Sequence, residues 1–161
     1  MLRMLERREL DIVIDTDMAV IENDTIGKLE ILKLDGCFVA GKKYKDLVNK
    51  NIKPNEINNY PLILPGKTTA NRKMIDLYFK RKNIVLNPLI EANSSSISKK
   101  IILNNLGIGW MIREFISEDL KKKELYEIKI DIEEVSIPVS IAYNKIYLNN
   151  IVKEFIKMFK K

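Results

Sequence analysis

Residues 91–112 read EANSSSISKKIILNNLGIGWMI, in which a polar corner at residues 93–96 leads into a helical pattern. The helical spacing of four apolar residues predicts a short amphipathic helix, which Gly107 is expected to end: Ile97, Ile101, Ile102 and Leu106. Residues 108–112 are typical of a buried strand. A helix that starts in serines offers free N–H groups and partial positive charge to a small anion. Serine and asparagine also cap helices without any ligand, and this stretch alone favours the cap.

Composition limits the class of protein before any motif does. The chain has 161 residues, of which 46% are hydrophobic and 31% charged, which is typical of one globular domain or two small lobes. It has no histidine, one cysteine and a formal net charge of +6. Its apolar runs are too short for a membrane span, and its start does not have the pattern of a signal peptide. We therefore expect a cytoplasmic protein without a disulfide framework.

Outward from residues 91–112, strand patterns alternate with helical patterns. This alternation predicts an α/β chain with a largely parallel sheet or sheets. Strands are predicted at residues 10–14, 29–34, 36–40, 61–64, 84–92, 108–112, 125–132 and 135–143, with another apolar run at 18–21. Residues 1–9 are predicted to be the end of a helix, and further helices are predicted after Thr68 or Thr69, at 115–120 and at 146–158.

Most catalytic chemistry is excluded or weakly supported. Without histidine there can be no Ser-His-Asp triad, Cys-His dyad or histidine metal site. Residues 65–68, PGKT, resemble the end of a P-loop, but the glycine required five positions before Gly66 is Pro61. The sequence DTD at residues 15–17 indicates a solvated turn more strongly than a cation site, and Cys37 a buried structural thiol. We expect no catalytic residue, metal or cofactor, and no enzymatic activity.

Two helix starts of similar character remain, Thr68-Thr69 after one predicted strand and Asn93-Ser94-Ser95 after another. In a parallel sheet both lie beyond the carboxyl ends of strands, where open α/β folds bind their ligands. Hydroxyls and backbone N–H groups suit a carboxylate or another small anion. Because neither start supplies a nucleophile or a base, the pattern favours binding over catalysis.

The order of several motifs resembles the effector-binding (substrate-binding) domain of LysR-type transcriptional regulators. The similar segments run from about residue 5 to the end: ERRELDIVI, LEILKLDGCFVAGKKY, INNYPLILPGKTTANRKMIDLYFKRKN, IEANSSSISKKIILNNLGIGWMI and the final helix. Lys43-Tyr44-Lys45 stands where the family has His-Pro-Leu, and Arg113 where a proline is common.

The resemblance implies two Rossmann-like lobes of the type II periplasmic-binding-protein fold. The first lobe would comprise residues 1–41 and 135–161 and the second residues 42–134. An effector, a carboxylate or other small anion, would bind in the cleft between lobes, at Thr68 or Thr69 and at Asn93, Ser94 and Ser95. Residues 1–9 match a late helix of the family, so the first lobe is expected to be incomplete and the chain N-terminally truncated.

The resemblance also implies partners. A homodimer or higher oligomer would change its arrangement on effector binding. DNA would be contacted only through a winged helix-turn-helix that this sequence lacks, and no membrane partner is expected. One alternative is a stand-alone solute-binding protein of the same fold, which would need a signal peptide. A less favoured alternative is an enzyme that uses Asp15, Asp17 or Cys37.

Overall fold

A computed structural model describes residues 1–16, 22–132 and 135–160. In these residues the strands are β1 (Ile12–Thr16), β2 (Ile26–Ala40), β3 (Leu62–Pro65), β4 (Pro88–Ala92), β5 (Ile108–Ile112), β6 (Tyr126–Ile128) and β7 (Val135–Asn144). The α-helices are α1 (Leu2–Glu6), α2 (Ala70–Arg81), α3 (Ser95–Leu103), α4 (Ser117–Lys121) and α5 (Asn150–Lys157). Short 3₁₀ helices cover Lys42–Leu47, Pro54–Asn59 and Arg113–Ile116.

The chain divides into two units. The first comprises Met1–Leu34 and Ile137–Lys161, and the second comprises Asp35–Ser136. Strands β2 and β7 each have residues in both units. The lobe boundaries predicted from the resemblance, at residues 41/42 and 134/135, stay a prediction.

The second unit is built on a sheet with the strand order β6-β2-β5-β3-β4. Strand β3 is parallel to both its neighbours, with Leu62 opposite Pro88 in β4 and opposite Ile108 in β5. Strand β2 is antiparallel to β5 and to β6. The prediction of a largely parallel sheet is therefore right only around β3. Parallel pairing needs a crossover helix, and only α2 and α3 make such connections within the second unit.

Alternating side chains of this sheet form two separate cores. On one face, Ile75 and Phe79 of α2 pack with Phe38, Leu62 and Trp110. The rings of Phe38 and Phe79 meet edge to face, with centroids 6.0 Å apart. The other face carries Ile102 of α3 and a smaller set of sheet and loop residues, namely Cys37, Val39, Ile63, Met111, Ile116 and Leu125. Because strand side chains alternate, α2 and α3 cover opposite faces of the sheet.

The first unit contains β1, most of β7 and the first part of β2, with β7 between the other two. Strand β1 is antiparallel to β7, with Ile14 opposite Ile141. Helix α5 packs Val152 and Ile156 against Ile141, and α1 packs Leu5 against Val13. These two small clusters are the cores of the unit.

Several predicted boundaries were wrong for local reasons. The two strands predicted at 29–34 and 36–40 are one strand, β2. The helix predicted at 146–158 begins at Asn150, because Asn144 Oδ1 accepts hydrogen bonds from the N–H groups of Ile146 and Tyr147 and holds a turn there. The strand predicted at 125–132 stops at Ile128, after which the chain bridges to Ile52. The apolar run at 18–21 lies outside the described residues.

The end of α3 also differs from the prediction. Asn105, with φ 63°, is the left-handed residue after the helix, and its N–H donates to Ile102 O at 2.9 Å. Gly107 has another role, since a Cβ there would overlap the carbonyl oxygen of Pro61. That oxygen accepts a hydrogen bond from the N–H of Ile108 at 2.9 Å. Gly107 therefore lets the backbone at the start of β5 lie close to the backbone just before β3.

A Gly107→Ala substitution should therefore destabilise the protein by about 1–3 kcal/mol, because backbone must move to admit the methyl group. Urea denaturation would measure the change. The matched control is Leu106→Ala, which truncates a side chain that is 53% exposed and should cost less than about 1 kcal/mol. Equal effects of the two substitutions would contradict the close-approach explanation.

Candidate functional site

A small cavity lies at the carboxyl ends of the three parallel strands of the second unit. Its volume is about 80 Å³, and we call it the helix-end cavity. It is lined by the ends of β3, β4 and β5 and the first residues of α2 and α3: Pro65, Thr69, Asn71, Ala92, Asn93, Ser95, Ser98, Trp110, Met111 and Ile112. The structure thus brings Thr69, Asn93 and Ser95 to one cavity, whereas Thr68 and Ser94 are not among its lining residues.

Thr69 is the N-cap of α2, and Thr68 is exposed. The Thr69 Oγ1 accepts a hydrogen bond from Arg72 N at 3.2 Å and donates one to Gly66 O at 2.8 Å. Since this hydroxyl has one proton and it is already used, Thr69 could only accept a hydrogen bond from a ligand. The structure therefore shows that Thr69, and not Thr68, caps α2. It also limits the Thr69 hydroxyl to accepting a hydrogen bond from a ligand.

The start of α3 is capped differently. Ser94 is the N-cap, but its side chain does not cap the helix. Its Oγ instead lies 2.9 Å from Ser96 Oγ. Ser95, the first residue of α3, is exposed and lines the helix-end cavity. In the first turn of α3 the N–H groups have no carbonyl partner within the helix, so they add donors and partial positive charge at this position.

Asn93 joins the two helix starts across the strand ends. A Cβ at Gly66 would overlap Asn93 Oδ1, so the asparagine side chain lies directly on the backbone that follows β3. Only glycine allows this approach. The two helix starts that the sequence predicts as separate polar segments are therefore in contact through Asn93 and Gly66.

The nearby cations are neutralised by carboxylates. Arg72 is buried, and its Nε donates to Asp76 Oδ1 at 2.8 Å while Nη1 lies 3.2 Å from both Glu91 Oε1 and Pro65 O. Lys67 Nζ lies 3.7 Å from the same Glu91 oxygen. In the described part of the chain, no lining residue of the cavity has an ionisable side chain. Any ligand would therefore be held by hydrogen bonds and helix dipoles and not by a salt bridge.

Asn71, Ser98 and Trp110 line the cavity but were missed as site residues. Asn71 and Ser98 sit within helical patterns, where sequence periodicity does not tell a lining residue from a packing one. Trp110 lies in a fully buried strand, and a buried tryptophan needs a partner for its N–H. That requirement was the one signal in the sequence that could have pointed to it.

A larger cavity of about 260 Å³ lies elsewhere in the second unit, between Cys37, Arg113 and the chain around Ile130. Its arginine is occupied, because Arg113 Nη2 and Nε donate to the two carboxylate oxygens of Glu127 at 2.8 and 3.2 Å. Arg113 Nη1 also lies 3.6 Å from Asp35 Oδ2. Despite its size, this cavity offers a ligand no uncommitted guanidinium group.

Of the three residues considered for catalysis, Cys37 and Asp15 lie in the described parts of the chain. Burial, with a contribution from Glu127, raises the pKa of the Cys37 thiol to about 12. Asp15 lies in β1, not in the predicted solvated turn, and its carboxylate accepts from Thr16 N at 2.7 Å. Asp17 lies outside the described residues. Within residues 1–16, 22–132 and 135–160, no group of three or more acidic or cysteine side chains is placed to hold a metal ion.

The strands and helices define a mixed α/β fold, and the cavity at the strand ends is of the kind in which such folds bind small molecules. The profile of the LysR substrate binding domain matches residues 1–161, and the chain belongs to this family. It is thus an effector-binding domain of the LysR regulators, and the predicted type II periplasmic-binding-protein fold is confirmed. No helix in the described residues is long and apolar enough to cross a membrane.

Solved structures of the same fold include three regulatory domains. The Synechocystis PCC6803 CcmR regulatory domain in complex with 2-PG matches with a TM-score of 0.82 and 19% identity, over 98% of this chain and 76% of that chain. The apo regulatory domain of HypT from Salmonella typhimurium gives 0.80 and 11%, over 98% and 75%. The effector binding domain of QuiR in complex with shikimate gives 0.78 and 20%, over 97% and 73%. The match covers 53% of full-length HypT, and no curated protein sequence is significantly similar to this chain.

Arg72→Met should destabilise the protein by about 1–3 kcal/mol, because it removes the donor to Pro65 O and Asp76 and leaves Glu91 with only the exposed Lys67. The matched control is Lys67→Met, since Lys67 contacts the same Glu91 but is 74% exposed, and its loss should cost less than about 1 kcal/mol. Urea denaturation of both variants would check this. An equal loss in both would show that Arg72 does not support the strand ends.

Cys37 should react with Ellman's reagent at pH 8 roughly a thousandfold more slowly in the folded protein than in guanidinium chloride, because its pKa rises from 9.0 to about 12. The unfolded thiol loses its proton first as the pH rises. Cys37 should therefore lower the free energy of unfolding progressively between about pH 9 and 12. Rapid labelling of the folded protein would contradict the assignment of Cys37 as a buried structural thiol and would indicate a reactive group.

Proposed function

We propose that this chain is the effector-sensing domain of a LysR-type transcription factor that acts in the cytoplasm. In this proposal the helix-end cavity of the second unit binds a polar group of a small, anionic effector. The observation that carries it is the meeting of Thr69, Asn93 and Ser95 at the N-termini of two helices. Partial positive charge and free N–H groups converge there without a competing acidic lining residue.

The relatives support a small ligand of this kind. The CcmR domain was solved with 2-PG, the QuiR domain with shikimate and the HypT domain with a bromide ion. Identities of 11–20% carry over the fold and not the ligand. The ligand of this chain has to be inferred from its own cavity. The lining of that cavity is polar and uncharged, and it would select among anions by hydrogen bonding.

The regulatory step follows from linkage. An effector can shift the equilibrium between two arrangements of a dimer or higher oligomer only if it binds one of them more tightly. A site at the ends of β3, β4 and β5 would couple to such a change through α2 and α3, since those helices begin at the ligand. DNA would be bound by a winged helix-turn-helix that is not among these residues.

Ligand binding can be tested by isothermal calorimetry and thermal denaturation with shikimate, bromide and a panel of small carboxylates. At least one compound should raise the melting temperature of the full chain, because it binds only the folded state. Ser95→Ala should weaken that compound by about three- to tenfold without changing the stability of the ligand-free protein, because it removes an exposed hydroxyl from the cavity.

The matched control is Ser117→Ala, at the start of α4, which should leave binding unchanged. Sedimentation velocity with and without the compound would test the change in oligomeric arrangement. The proposal fails if no compound binds, or if Ser95→Ala and Ser117→Ala behave alike toward the one that does.

A further inference from the structure

Two buried polar atoms of the helix-end cavity residues have no hydrogen-bond partner. One is the indole Nε1 of Trp110, a residue that is only 2% exposed, and the other is the amide Oδ1 of Asn71. Both residues line the cavity. Across the described parts of the chain, these are the two buried side-chain atoms left unsatisfied.

Such atoms are uncommon in folded proteins because burial removes their hydrogen bonds to water. The two atoms belong to residues that line one cavity, and their lack of partners destabilises the ligand-free protein. A ligand that satisfied both would recover that free energy on binding. The unsatisfied pair is therefore an observation about the ligand, independent of the two helix N-termini.

The two atoms make opposite demands. An indole N–H can only donate a hydrogen bond, and an amide oxygen can only accept one. A halide or an ionised carboxylate can accept from Trp110 but offers no proton to Asn71. A hydroxyl group can do both, because it carries one proton and two lone pairs.

The indole is also held in place before any ligand arrives. Its ring meets the ring of Phe38 edge to face, with centroids 5.0 Å apart. The ring also lies against Gly36, where a Cβ would overlap Trp110 Cζ2. A donor fixed in this way loses little freedom on binding, which favours selectivity for a group of defined position.

We propose that the effector of this cavity is a small hydroxy acid, whose hydroxyl group is recognised by Trp110 and Asn71 while the helix N-termini bind its carboxylate. The inference rests on the proposed function of the same site and adds the chemical class of the ligand. Trp110 and Asn71 are its specificity-determining residues. Because the lining has no ionisable side chain, selectivity depends on these hydrogen bonds more than on charge.

Pairs of acids that differ by one hydroxyl provide the test: glycolate and acetate, lactate and propionate, malate and succinate. Calorimetry at constant ionic strength should show that the hydroxy acid of at least one pair binds at least about tenfold more tightly than its partner. Trp110 is the single tryptophan, so intrinsic fluorescence reports on its indole alone. The emission should shift to longer wavelength with the hydroxy acid and not with its partner.

Asn71→Leu separates selectivity from simple binding. It removes the amide oxygen, so the two acids of the responsive pair should bind within about twofold of each other, while the ligand-free protein should be no less stable. Trp110→Phe should abolish the same preference. The matched control is Asn49→Leu, at an exposed position outside the cavity, which should retain the full preference.

Equal binding of both acids in every pair by the unaltered chain would overturn the hydroxy-acid inference and leave the proposed function standing. A preference that survives Asn71→Leu would overturn the role of Asn71. If Asn71→Leu lowers the stability of the ligand-free protein, the amide already has a partner and the inference fails. If none of these acids, nor shikimate or bromide, binds the chain, the proposed function fails as well.

Discussion

The central position of β3 is the constraint on which the rest of the second unit depends. The chain leaves β3 through α2 to reach β4 on one side, and then returns through α3 to reach β5 on the other side. Crossovers between parallel strands are right-handed, so two that run in opposite directions must place their helices on opposite faces of the sheet. Both helices nevertheless begin at the same carboxyl edge. Their N-termini therefore meet beside β3, and the helix-end cavity is a consequence of the topology.

The charged side chains around this edge stabilise the cavity but do not line it. Arg72 is not among its lining residues; it is paired with Asp76 and Glu91 and donates a hydrogen bond to the last carbonyl of β3. The buried guanidinium thus satisfies backbone and carboxylates together, and Lys67 adds only an exposed contact. Had Arg72 faced the cavity, any anion would have bound by charge. Because Arg72 is already paired with carboxylates, the lining can distinguish ligands by the positions of their hydrogen-bonding groups.

Sequence periodicity predicted the existence of most elements well and the ends of several of them less well. The strand at 108–112 and the helix after Thr69 are as expected, because continuous burial and 3.6-residue spacing are strong signals. The start of α5 was misplaced because Asn144, outside the helix, holds the preceding turn by side-chain hydrogen bonds. Gly107 was assigned to the wrong function for a similar reason. Its contact is with Pro61, which is remote in sequence.

The sequence by itself determined the α/β class, the family resemblance and the two polar helix starts, since each depends on the order and spacing of residues along one segment. It also excluded histidine chemistry outright. Only the tertiary structure decided that Thr69, Asn93 and Ser95 share a cavity while Thr68 and Ser94 do not line it. It also decided that Trp110 Nε1 and Asn71 Oδ1 are buried without a hydrogen-bond partner. Those facts depend on which strands become neighbours and which way each side chain points, and residues far apart in the chain determine both.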